Sequence, residues 1–184
     1  MGKPEGSKLV LITPKIEHST AVAGFLAEFE AQKEPDYHGF AWLEEYTSYP
    51  DWLDFLEIAK DPEKCGKNRV PAETLFAWNY ETKQIIGIVN IRYFLNDYLL
   101  QYGGHIGLSV RPQLRGLGYG SQILGLALQR CRELAIYQVL ITCNQDNQAS
   151  AKMIKNNGGV LENEVREERG MIIQRYWITL SDKD

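Results

Sequence analysis

Residues 111–120 read Arg-Pro-Gln-Leu-Arg-Gly-Leu-Gly-Tyr-Gly, three glycines and two arginines between a β-rich run and an amphipathic one. Glycines at a strand-to-helix junction let backbone N–H groups approach a ligand with no Cβ in the way. The first N–H groups of a helix lack intrahelical acceptors and lie at the positive end of its dipole, so they favour an anion. Arg111 and Arg115 add positive charge, and a guanidinium fork matches phosphate oxygens. The segment therefore reads as a cradle for a pyrophosphate. Two familiar phosphate motifs fail here. A GxGxxG fingerprint started at Gly116 meets Ser121 where its third glycine belongs, and one started at Gly118 meets Ile123. A Walker loop needs Gly-Lys-Ser/Thr, which is absent.

The elements that must carry this turn follow from periodicity. A β-rich run from Lys8 to Thr13 ends at Pro14, and Ser19 or Thr20 can cap a helix reaching about Lys33. Residues 37–49 look like a loop, and Pro50 opens a second helix bearing Trp52, Leu53, Phe55, Leu56 and Ala59. Glu73–Tyr80 and Gln84–Tyr93 read as antiparallel strands, His105–Val110 as a further strand. After the glycine turn, Ile123, Leu124, Ala127, Leu128, Cys131 and Leu134 recur at helical spacing. Gln138–Cys143 is a strand, Gln148–Asn157 a helix stopped by Gly158-Gly159, and residues 160–180 a closing hairpin.

With 184 residues, 44% hydrophobic and 24% charged, the chain has the composition of a soluble globular domain, and its length suits one such domain. The expected organisation is a flexible tail over residues 1–7 and a single domain over 8–184. A net charge of −4 argues against general nucleic-acid binding, and no apolar run is long enough to cross a membrane. Three scattered cysteines and three histidines form no ligand cluster, so no metal is expected and a reducing, cytoplasmic setting is. Cys143 reads as packing rather than as a nucleophile.

The pattern Arg115-x-x-Gly118-x-Gly120, opening a helix after a strand, resembles the acetyl-coenzyme A signature of the GNAT superfamily of N-acetyltransferases. Residues 141–159, with a strand, an Asn-rich turn, a helix and a closing glycine, resemble the next block of that family. The resemblance covers about residues 73–180. Gly103–Gly107, Leu161–Glu164 and Arg175–Trp177 resemble a bacterial branch labelled only "predicted acetyltransferase". The implied fold is α/β (α+β), a mixed, mostly antiparallel central sheet of six or seven strands flanked by helices. The implied activity is transfer of an acetyl group from acetyl-CoA to a primary amine by direct attack, with a small-molecule acceptor and no metal. The same resemblance leaves room for a homodimer, and for a rival reading as a weakly active acyl-CoA-binding or sensing module.

Carried over by position, the resemblance assigns the coenzyme to the strand backbone at Leu108 and Val110. Arg115, Gly116, Leu117, Gly118, Tyr119, Gly120 and Ser121 would hold the pyrophosphate, and Asn144 and Asn147 the pantetheine arm or acetyl region. Asn147 also suits a helix N-cap. Many members place a proton-donating tyrosine where this chain has Ile154, so the general acid is left open. Some place a basic glutamate where this chain has Gly103-Gly104-His105, which makes His105 the candidate base; a satisfied strand-edge histidine is the competing reading. Glu44 and Glu45 lie where the family builds part of its acceptor wall, so Glu45 is a second catalytic candidate, set against a solvated loop.

Overall fold

The structure is a computed structural model that describes residues 9–33, 38–168 and 170–181. The tail expected at residues 1–7 lies outside the described residues. Eleven principal elements follow in order: β1 (Leu9–Ile12), α1 (Ser19–Ala31), α2 (Tyr49–Ala59), β2 (Ala72–Asn79), β3 (Gln84–Arg92), β4 (Ile106–Val110), α3 (Tyr119–Glu133), β5 (Gln138–Asn144), α4 (Gln148–Asn156), β6 (Val160–Arg166) and β7 (Ile172–Thr179). Short 3-10 turns lie at Ile16–His18, Leu43–Glu45 and Pro112–Leu114, and a π turn lies at Leu99–Gly103. The strand–helix order is the one read from periodicity. The π turn falls in what reads as loop, because its five residues are too few to display a helical period.

The strands form two antiparallel sheets, ordered β1-β2-β3-β4 and β5-β7-β6. This is the expected α+β architecture, with one feature that periodicity does not carry: β4 and β5 meet at one end and then separate. At the meeting point His105 N–H donates to the Leu140 carbonyl at 2.7 Å. The Leu140 N–H in turn donates to His105 Nδ1 at 3.0 Å. A side-chain nitrogen thus stands in for the backbone carbonyl of a ladder pair. Beyond this pair no β4–β5 ladder forms.

Helices cover both faces. Strand alternation sends Leu75, Ala77, Val89 and Ile91 towards α3 and α4, where they pack with Ile123, Leu124, Ala127, Leu128 and Ile154. It sends Phe76, Trp78, Ile85 and Ile88 towards α1 and α2, where they pack with Val22, Phe25, Phe29, Trp52 and Leu56. On β3 the alternation breaks between Ile86, in the α3–α4 core, and Ile88, in the α1–α2 core, at the register shift opposite Ala77 and Trp78. The N-terminus of α2 is fixed by Ser48, whose Oγ accepts from the Asp51 N–H, with Pro50 in the first turn.

Gly104 sets the junction. It sits at φ +64°, and a Cβ there would lie 2.6 Å from the Leu140 carbonyl oxygen and 3.2 Å from Ile141 Cα. Gly104→Ala should therefore destabilise the fold by roughly 2 kcal/mol or more, from backbone strain plus the clash with main chain. Gly24→Ala is the control: Gly24 is inside α1 with nothing within 4 Å of its Cβ position, so alanine there should stabilise by about 0.5–1 kcal/mol. Urea denaturation of both variants checks the pair of signs.

Candidate active site

Where β4 and β5 part, a cavity of about 360 Å³ opens. Ile106, Gly107 and Leu108 line one side and Ile141, Thr142, Cys143 and Asn144 the other. Its size is that of a small-molecule site. Arg111 N–H bonds the Ile86 carbonyl on β3 at 2.8 Å. By antiparallel alternation, Leu108 and Val110 then turn their backbone groups away from β3 and into the gap. The gap thus offers an unpaired strand edge at the two positions assigned to the coenzyme arm. The Val110 carbonyl already accepts from Arg115 Nε at 3.1 Å.

Past β4 the chain makes its 3-10 turn and enters α3 through Gly116 at φ +77° and Gly118 at φ +86°. Neither has an atom within 4 Å of its Cβ position, so it is the left-handed backbone, not crowding, that asks for glycine. Gly118 is the N-cap and gives no side-chain cap. Arg115 N–H is bonded to the Pro112 carbonyl, and the next N–H with a backbone acceptor is that of Gln122, bonded to Gly118. Among the described residues the N–H groups of Gly116, Leu117, Gly118, Tyr119, Gly120 and Ser121 make no hydrogen bond. A run of open donors at a helix start is what an anion requires.

The arginines beside this run differ. Arg115 is exposed, with its guanidinium 5.2 Å from the Phe29 ring centroid. Arg111 is buried, turned away from the turn towards Glu28 at 3.5 Å and the ring of Phe25. Asn147 caps α4, its Oδ1 accepting from the Ser150 N–H at 3.0 Å, and also lines the cavity. Asn144 ends β5 on the cavity wall. Ile154, which also reaches that wall, is fully buried in the α3–α4 core. Burial raises the Cys143 thiol to about 11, so it stays protonated at neutral pH and is a poor nucleophile.

His105 is 7% exposed and is not among the residues lining the cavity. With Nδ1 accepting from Leu140, its proton belongs on Nε2, which leaves it no free acceptor nitrogen. Burial, with the nearby Arg92 charge, lowers its pKa to about 4. Glu45 is exposed at the end of the Leu43–Glu45 turn and is likewise not on the wall; the side chain of Glu44 is not among those described. Periodicity and motif gave no sign of several residues that do line the space: His38, Gly39, Asn90, Tyr98 and Tyr102. The alternation of β3 could have indicated Asn90 and Arg92, polar residues spaced by two after Ile88.

Among the described residues, no group of His, Cys, Asp and Glu is arranged to hold a metal, and no helix is long and apolar enough to cross a membrane. The two sheets thus part over the cavity, and α3 starts beside its wall, where a Cβ on Gly120 would lie 3.0 Å from Met153 Sδ. A profile of the acetyltransferase (GNAT) family matches residues 22–158, and the chain belongs to that family. No curated protein matches its sequence. Similar solved structures include RimL, a ribosomal-protein alpha-N-acetyltransferase in complex with coenzyme A, at 18% identity over 99% of both chains and a TM-score of 0.68. The microcin self-immunity acetyltransferase MccE, in complex with acetyl-CoA and AMP, is 16% identical, with 95% of this chain and 94% of that one covered and a TM-score of 0.67. A spermidine N-acetyltransferase from Vibrio cholerae is 16% identical, covering 93% and 95%, with a TM-score of 0.62.

The His105 clasp makes stability depend on pH. Its pKa is lowered on folding, from the usual 6.5 to about 4, so between these values the unfolded chain binds more protons. His105 therefore withdraws stability as pH falls from about 6.5 to about 4. Denaturation profiles of wild type and His105→Asn should converge as pH is lowered through that window. A His105 imidazole that titrates near 6.5 by NMR would contradict the assignment.

Proposed function

We propose that the protein transfers an acetyl group from acetyl-CoA to a primary amine on a small molecule, by direct attack. The observation that carries this is that the run of open N–H groups at the start of α3 lies beside the cavity wall: a Cβ on Gly120 would lie 3.0 Å from Met153 Sδ, and Met153 lines the β4–β5 gap. The backbone of Leu108 and Val110 holds the amide-bearing arm, and Asn144 and Asn147 flank its reactive end. The N–H groups from Gly116 to Ser121 hold the pyrophosphate, with Arg115 contributing charge from its side chain. Acetyl-CoA supplies the thioester, and the protein's part is to fix it beside the amine, an effect of at most about 7–11 kcal/mol.

We assign His105 to the sheet junction rather than to proton removal, since its acceptor nitrogen is engaged and it is off the cavity wall. The imidazole on that wall is His38. The attacking amine loses its proton to His38 or to water beside it, and substitution separates the two: His38→Ala slows turnover about tenfold or more without weakening coenzyme binding, or leaves the rate to water. With Ile154 buried and apolar, the departing thiolate takes its proton from solvent at the cavity mouth.

Calorimetry with acetyl-CoA tests the cradle, and thiol release over an amine panel tests transfer. Gly118→Val forces a β-branched side chain into a left-handed backbone and should weaken acetyl-CoA binding by about tenfold or more. Wild-type affinity in that variant would refute the cradle. Tight binding without turnover over a broad panel would favour the sensing module, and failure to bind any coenzyme A would overturn both readings.

A further inference from the structure

Arg92 ends β3 as a guanidinium in the cavity wall with no carboxylate opposite it among the described residues. Its Nη1 donates to the carbonyls of Gly103 and Gly104, each at 3.0 Å. Its Nε and Nη2 make no hydrogen bond among the described residues. The Nη2 passes over Gly107, where a Cβ would lie 3.4 Å from it. The other arginines drawn into the fold are matched differently: Arg111 faces Glu28 at 3.5 Å, Arg130 faces Glu73 at 2.6 Å and Arg175 faces Glu162 at 2.6 Å. Burial lowers Arg92 to about 10, which still leaves it cationic at neutral pH.

The side on which Arg92 lies is set by alternation. Val89 and Ile91 point into the α3–α4 core, so Asn90 and Arg92 point to the opposite face, with Ile88. Asn90 gives its amide hydrogens to the Glu73 carbonyl and to Thr74 Oγ1, which leaves Oδ1 as an acceptor on the cavity wall. Trp42, Tyr98 and Tyr102 supply apolar surface around them. Among the described residues that line the cavity there is no aspartate or glutamate.

From this arrangement we infer that the acetylated amine carries an anionic group, a carboxylate or a phosphonate-like oxyanion, held by Arg92, while Asn90 Oδ1 accepts from its amine. The inference rests on the transferase reading above and names the acceptor class for the same site. A polycation would meet an unopposed positive charge with no carboxylate to offset it, whereas an oxyanion completes the open half of the guanidinium fork. One arginine and no acid among the described lining residues argue against a cation-collecting pocket on the same ground.

Binding to the protein preloaded with coenzyme A, read by calorimetry, tests the acceptor class apart from turnover. The probes are leucine against leucinamide, 2-aminoethylphosphonate against ethanolamine, and spermidine. At least one acidic member should bind about tenfold or more tightly than its uncharged counterpart, and spermidine should be the weakest. Which pair shows the preference distinguishes carboxylate from phosphonate. Arg92→Met should bring the preferred pair to parity, and Arg92→Lys, which keeps the charge and loses the fork, should retain part of the preference; coenzyme A affinity measured on both variants separates loss of the acceptor contact from disturbance of the β4 end that Arg92 braces. Equal affinities within both pairs, no binding by any acidic probe, or tight binding of spermidine would overturn the inference. Acidic amines that bind but release no thiol would instead overturn the transferase reading, while Arg92 would stand as the contact for an anionic ligand that is not acetylated.

Discussion

The site depends on a single constraint: β4 and β5 are joined at one end and nowhere else. Two hydrogen bonds make that joint, His105 N–H to the Leu140 carbonyl and Leu140 N–H to His105 Nδ1. A regular ladder would have satisfied every backbone group along both strands and closed the gap. Replacing one carbonyl by an imidazole nitrogen ends the ladder after one pair, while leaving no buried donor without a partner at the joint. Gly104 makes the substitution feasible, because its left-handed backbone brings the chain within van der Waals distance of Leu140 with no Cβ between them. On the proposed function, the coenzyme arm would take the place of the missing strand pairing.

The cradle and the gap solve the same problem in two ways. Both present backbone N–H groups that the fold does not use, one set along a strand edge and the other at a helix start. Neither can be left facing an apolar core, where an unpaired amide is costly, so both open to the cavity or to solvent. Arg115 illustrates how far the fold prepares the cradle: its side chain bonds the Val110 carbonyl and lies over Phe29, bracing the turn between β4 and α3. Arg111, two residues after Ser109 on the strand, is drawn inward to Glu28 instead.

The order of elements and the glycine turn were legible in the sequence because both are local. Hydrophobic period identifies α3, and Gly116 and Gly118 stand at the positions whose backbone is left-handed. The catalytic assignments were less legible because they depend on the joint between two sheets. His105 looks like a free imidazole at the head of a strand until Leu140, distant in sequence, takes its Nδ1. Glu45 sits in a segment adjacent to the cavity in sequence, yet the wall there is made by His38, Gly39, Ala41 and Trp42. Arg92 reads as an ordinary sheet residue, and only the absence of an opposing carboxylate among the described residues distinguishes it from Arg130 and Arg175.

Arg92 also ties the acceptor wall to the joint. The carbonyls it holds, those of Gly103 and Gly104, directly precede His105, and its own N–H donates to the His105 carbonyl at 2.8 Å. One guanidinium edge thus braces the π turn against β3 while the other faces the cavity. An anion bound there would offset the charge of the same residue that braces the end of β4, so acceptor binding and the geometry of the gap share a residue. On the proposed function, filling the acceptor side would stiffen the strand edge assigned to the coenzyme arm, because the guanidinium that would hold the acceptor is the one that holds the Gly103 and Gly104 carbonyls.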